Sequence, residues 1–228
     1  MPITVSAPDP MAARDASVRM LQRLGLALPP SSYPLVWEAG DAVELRPLED
    51  IEARVAILNV VLARSFGMPP DFAMQWLLDA HLIDQMTQPE SRFVLTGDGD
   101  PKVFHLHLDA LFALTWVLGI SMDLDPLEPS ATGLVDRLPD LRNGESFDGW
   151  RRRTLTAPRG PADVATVLDL YYCLDWAYLE AERRRLVLPG AIDSNAIGQR
   201  RWALEWVAVF TGPHHDPPPS WEEIDLST

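Results

Sequence analysis

The chain has 228 residues, 47% of them hydrophobic and 23% charged, with a formal net charge of −14 and one cysteine. That length suits one sizeable domain, which buries on the order of 70–75% of its unfolded surface and needs neither disulfides nor a metal to hold together. The charge repels nucleic-acid phosphates and anionic membranes, no apolar run reaches the roughly 20 residues that span a bilayer, and Cys173 has no partner for an intramolecular disulfide. Neither nucleic acid nor membrane is therefore an expected partner, and a reducing cytoplasm is the expected location.

The N-terminal segment, with residues 1–9 expected to be flexible, lacks a basic region followed by an apolar core, so no secretory leader is expected. Asp9 and Pro10 suit the start of a first helix that runs to Leu24 and stops at Gly25. Pro29, Pro30 and Pro34 then force an extended connection, and a small hairpin is conceivable near Trp37 to Leu45. Pro47 opens the second helix. Leu48, Ile51, Val55, Leu58 and Leu62 recur at spacings of three and four, which is one buried face. Gly67 stops it before Pro69 and Pro70. A third helix from Asp71 to Ala80 should turn Phe72, Trp76 and Leu77 inward, and Thr87 with Glu90 has the spacing of a capping box for a short fourth helix.

Val103 to Gly119 is apolar nearly all round, the signature of a central helix. Residues 120–160 are rich in Pro, Gly and Asp and should be irregular, with helical turns near Leu134 and Phe147. Pro161 opens a long helix to about Leu186, with Leu179 and Leu186 among its packing residues. A last helix is expected from Ala196 to Phe210, and residues 212–228 form a proline-rich tail pinned to the surface by Trp221 and Ile224. The expectation is an all-α, single-domain bundle of about seven helices around the central apolar helix, with irregular Pro-rich loops, spanning residues 1–228.

Several short segments, in order, carry a resemblance. They are Gln75-Trp76-Leu77-Leu78, Leu114-Thr115-Trp116-Val117-Leu118-Gly119, Asp169-Leu170-Tyr171-Tyr172, Arg200-Arg201-Trp202-Ala203-Leu204-Glu205-Trp206 and Trp221-Glu222-Glu223-Ile224-Asp225. Together they resemble the bacterial family catalogued as domain of unknown function 4272, from about Arg19 to the C-terminus. The resemblance implies a helical fold and brings no activity with it. Asp109 and Gln199 stand where the family pattern suggests glutamates.

The polar positions allow few chemistries. His105 and Asp109 share a helix face and are the positions a metal would use, yet a site needs further ligands such as His81, His214 or His215, and no metal-binding spacing is present. No metal or cofactor is expected. Lys102 and Val103 rule out a calcium loop after Asp98. Cys173 sits among apolar residues and reads as an inert core thiol. Asp169 and Asp175, on the long helix, call for partners such as Arg54, Arg200 and Arg201, because an unpaired buried carboxylate is costly. Arg151 to Arg153 should be solvated or pair with local acids such as Asp148.

The leading functional expectation is a non-enzymatic protein-interaction module, of the immunity or inhibitor type that masks a basic partner. The alternative is an enzyme of unassigned reaction whose cleft gathers Asp169, Asp175, His105 and Arg200. Nucleic-acid binding would require the three arginine clusters to make one continuous face.

Overall fold

A computed structural model describes residues 3–130, 133–154 and 157–226. Among the described residues the chain is mostly helical, at 56% helix, with eight α-helices and one small three-stranded sheet. The rest of the irregular stretch expected at 120–160, and the extreme positions of both ends, lie outside the described residues. Contacts gather into two compact units. One comprises the chain up to Pro47, Leu124–Pro129 and the chain from Arg159; the other comprises Leu48–Asp123 and Ser130–Pro158.

The first unit opens with strand β1 (Val5–Ser6) and helix α1 (Pro10–Arg23). Asp9 caps α1 by accepting from the Met11 and Ala12 amides, and Pro10 occupies the first turn, where no amide is needed. Strand β2 (Ala42–Leu45) lies between β1 and β3 (Ala208–Thr211), antiparallel to both, with Val43 opposite Val5 and Phe210. The segment near Trp37 to Leu45 is thus a strand of a sheet and not a hairpin. The long helix α7 (Pro161–Arg183) packs against α1, the sheet and α8 (Ser194–Val207). It is therefore the hub of this unit, and its low amphipathicity follows, since it must be covered on several sides. It stops at Arg183, where Arg185 takes a left-handed φ of 56° and the Leu186 amide reaches back to the Ala181 carbonyl. Leu179, on an outward position within α7, and Leu186, beyond its end, were both expected to pack and are exposed. The last helix also ends early. Ala208 to Phe210 pair with β2, because β-branched and aromatic residues beside an open strand edge gain more from the ladder than from another helical turn.

The second unit is built on α2 (Leu48–Ser65), which is buried without interruption from Ala53 to Leu62. Leu48, expected on the inner face, is exposed. Helices α3 (Pro70–Asp79), α4 (Gln88–Thr96) and α5 (Pro101–Val117) complete the unit, and α5 packs along α2. From Ala110 to Val117 every α5 residue is buried, while Val103 and Leu106 face solvent. Phe72 is half exposed, and Ala73, Trp76 and Leu77 make the inner face of α3 instead. Glu90 serves two ends at once. One carboxylate oxygen accepts from the Thr87 amide in the capping box, and the other accepts from Arg54 at 2.7 Å. The irregular stretch is pinned rather than loose. Trp76 donates to the Glu145 carbonyl, fully buried Trp150 of α6 (Phe147–Arg153) donates to the Arg137 carbonyl, and Asn59 donates to the Pro139 carbonyl. Arg151 reaches Glu52 and Arg153 grips Glu145 with two nitrogens, so their partners are acids other than Asp148.

Candidate functional site

The residues singled out in the sequence converge most strongly on the facing sides of α1, α7 and α8. Asp169, 1% exposed, accepts from Arg14 Nη2 at 2.9 Å, from Arg14 Nε at 3.1 Å and from Ser17 Oγ at 2.7 Å. Arg14 also donates to the Tyr33 and Pro34 carbonyls. Burial alone would lower the affinity of Arg14 for its proton, but Asp169 outweighs burial and raises it. One turn along α7, the Cys173 thiol is pushed up to about 12 by burial and by the adjacent Asp169 charge, which leaves almost no thiolate at neutral pH.

Two turns from Asp169, Asp175 accepts from Arg201 Nη1 at 2.6 Å. Arg201, 1% exposed, also donates through Nε to Glu205 at 2.6 Å and through Nη1 to the Leu226 carbonyl. Burial raises the pKa of both Asp175 and Glu205, and Arg201 offsets this only in part. The Tyr172 ring lies between the two clusters, 5.7 Å from the Arg14 guanidinium and 4.5 Å from that of Arg201. Arg200 is fully buried and turned the other way. It donates to the carbonyls of Asp125 at 2.6 Å and Glu128 at 2.8 Å, with the Tyr171 hydroxyl beside it.

Asp169 and Asp175 therefore belong to separate arginine clusters and do not form a carboxylate pair. The expected partners also change. Arg54 pairs with Glu90, Arg200 braces carbonyls, and Asp169 takes Arg14. The charges of Asp169, Asp175 and Glu90 are each met by a guanidinium, as a buried carboxylate requires. His105 belongs to the other unit, on α5. Its ring stacks on Phe66 with centroids 4.6 Å apart, and among the described residues its buried Nε2 has no hydrogen-bond partner. His107 lies near Phe104 and not on the stacked pair. His81 is exposed at a left-handed φ of 57°. Among the described residues no group of three or more His, Cys, Asp or Glu side chains could hold a metal ion. An open hollow of about 380 Å³ lies between α4 and α5, lined by Gln88, Arg92, Asp98, Asp100, Val103 and Phe104.

Asp41 was missed in the sequence. It is buried, accepts from the Glu38 amide at 2.7 Å and from His215 Nε2 at 2.8 Å, and sits against Gly212, where any Cβ would meet its carboxylate at 1.9 Å. His215 closes an aromatic column in which Phe210 stacks on Trp37. The only local signal is a glycine just before a histidine pair. Burial raises the Asp41 pKa, but the Glu38 amide and His215 together hold it below the ordinary carboxylate range. A group with a depressed folded pKa contributes stability that is present above its unfolded pKa and lost as pH falls through the folded one. Asp41→Asn should thus cost about 2 kcal/mol at neutral pH, as for a hydrogen bond to a charged group. The gap from wild type should stay full from neutral pH down to about pH 4, the ordinary carboxylate value, and narrow only as pH falls further, followed by urea unfolding at each pH. A gap independent of pH would show that the Asp41 charge has no such role.

No curated protein and no solved structure matches the chain. A family model described as "Domain of unknown function (DUF4272)" matches residues 14–224. That span runs from Arg14, which grips Asp169, to Ile224, which is buried in the tail, so it takes in both arginine clusters and their coverings. The chain belongs to the DUF4272 family.

Proposed function

We propose that the chain is a non-enzymatic interaction module, working in a reducing cytoplasm, whose acidic exterior docks a basic protein in the manner of an immunity protein or inhibitor. One observation supports the reading. The arginines Arg14, Arg54, Arg200 and Arg201 are spent inside as struts, and the described surface is left with 23 exposed Asp and Glu against 11 exposed Lys and Arg. Such an excess steers a cationic surface into encounter and weakens as salt rises. The burial of Asp169, Asp175 and Arg200 argues against the enzyme alternative, since none of the three is open to a substrate.

The test is affinity capture from native lysate at low and high salt, with the Glu49→Gln/Asp50→Asn and Glu222→Gln/Glu223→Gln variants alongside. A basic protein retained at low salt, released at high salt and lost in one variant pair would support the reading. Recovery of no basic partner at any salt would end it.

A further inference from the structure

The C-terminal segment is held as a peptide ligand is held. Pro213 lies in a turn closed by the His215 amide on the Gly212 carbonyl, Pro217 in a bend, and Pro218 and Pro219 carry the chain on outside any helix; all four are exposed. The chain then inserts Trp221, which is buried, against Trp206 in an edge-on contact at 5.3 Å and against Trp202 at 6.1 Å. Side chains of the body read the backbone of this segment. Arg46 lies over the Trp206 ring at 4.7 Å and donates to the Pro219 carbonyl. Trp202 Nε1 donates to the Trp221 carbonyl at 3.1 Å, and Arg201 donates to the Leu226 carbonyl at 3.3 Å. An aromatic-lined face with side-chain donors aimed at backbone carbonyls, here those of Pro219, Trp221 and Leu226, resembles the grooves that take up proline-rich segments. Carbonyls are common to every peptide, so the tryptophan anchor gives this groove its selectivity.

We propose that the α8 face bearing Trp202 and Trp206, flanked by Arg46 and Arg201, is a peptide-docking groove that the chain fills with its own tail. A partner protein fills it in trans with a segment of the same chemistry: a proline run, then one tryptophan that opens a short helical turn and is followed by acids, as Trp221–Glu223 does here. The acids have a role in the occupant itself: Glu223 accepts from the Ser220 amide at 2.8 Å and so closes the turn that presents Trp221, while Glu222 and Glu223 remain exposed. The cis occupant competes at the high effective concentration that a short tether provides. Part of that tether is the Asp41–His215 contact, which holds the chain just before the proline run. A partner gains access when the tether loosens.

The test uses the full-length chain and a fluorescein-labelled peptide matching Asp216–Leu226, followed by anisotropy. Trp221→Ala, which empties the anchor position, should bind the peptide saturably and at least about tenfold more tightly than wild type does. Asp41→Asn should fall between the two. A peptide with alanine in place of the tryptophan should bind none of them. Absence of binding to a Trp221→Ala chain that keeps the wild-type circular dichroism would overturn the proposal. If that variant does not fold, the same question is put to a full chain carrying a protease site in place of Pro213–Asp216, cut after folding. Exchange of the cut tail for labelled peptide supports the groove, and retention of the tail without exchange overturns it. Dimers that form with rising concentration by tail exchange would overturn the partner assignment in favour of a second copy.

Discussion

Arg201→Ala should lower the free energy of unfolding by about 3–5 kcal/mol, because it strands a buried and a half-buried carboxylate together. Asp175 and Glu205 both lie against this one guanidinium, which is itself 1% exposed. Burial already raises the pKa of both acids with the arginine present. Without it they must take up protons or draw in water, and either route costs stability. The reverse experiment separates pairing from packing. Arg201→Met with Asp175→Leu and Glu205→Leu removes all three charges and keeps the volume apolar, and such replacements are often neutral or stabilising by about 1–4 kcal/mol. Urea unfolding should therefore find the triple variant more stable than Arg201→Ala. A triple variant that is the less stable of the two would mean that the ions contribute more than mutual neutralisation.

Gly190→Ala should be nearly as damaging, for a different reason. Gly190 lies in the turn between α7 and α8 with φ of +76°, and a Cβ there would stand 2.4 Å from the Leu127 carbonyl oxygen and 2.8 Å from the Leu127 Cα. Those atoms are backbone and cannot swing aside. The Leu127 carbonyl is also the acceptor of the Ala191 amide, so the clash opens a hydrogen bond at 2.8 Å. Left-handed backbone costs an alanine roughly 1–2 kcal/mol and overpacking a further 1–3 kcal/mol, so a loss of about 2–5 kcal/mol is expected. Gly25→Ala supplies the control. Its φ of +69° is similar, but open space surrounds it, so only the conformational cost of roughly 1–2 kcal/mol should appear. Thermal unfolding of the two variants should differ by several degrees, since 1 kcal/mol shifts the midpoint of a chain this size by roughly 2–4 °C. Equal shifts would show that the turn yields without strain.

The helices were legible because their ends are written locally. Asp9 before Pro10, Thr87 with Glu90, and the buried spacing from Ile51 to Leu62 each decide a boundary or a face within a few residues of sequence. Strand β3 was not legible. Ala208 to Thr211 continues the helical period of α8 without a break, and what turns it into strand is β2, more than 160 residues earlier. Phe72 misled for a related reason. The period of α3 allows two inner faces, and the choice falls to Ala73 and Leu77 because they meet the core of their unit. The polar clusters were half legible. A buried acid on α7 demands a cation, and that much follows from elementary electrostatics, but nothing near Asp169 names Arg14 as its partner across 155 positions. Arg201 could be guessed because it lies only 26 positions from Asp175, at the same level of the next helix. The same applies to Asp41 and His215, whose contact depends on where the tail returns.

The chain path through the first unit bears on how the molecule is made. Helix α1 leaves the ribosome early, yet its buried face waits for α7, and Arg14 remains without its carboxylate until Asp169 has been synthesised. The whole of Leu48–Asp123 emerges in the meantime and can complete its helices from contacts close in sequence. The nascent first unit thus holds an amphipathic helix with an uncompensated cation for most of translation. Its assembly is a late, long-range closure whose entropic cost falls due only when the last third of the polypeptide is available.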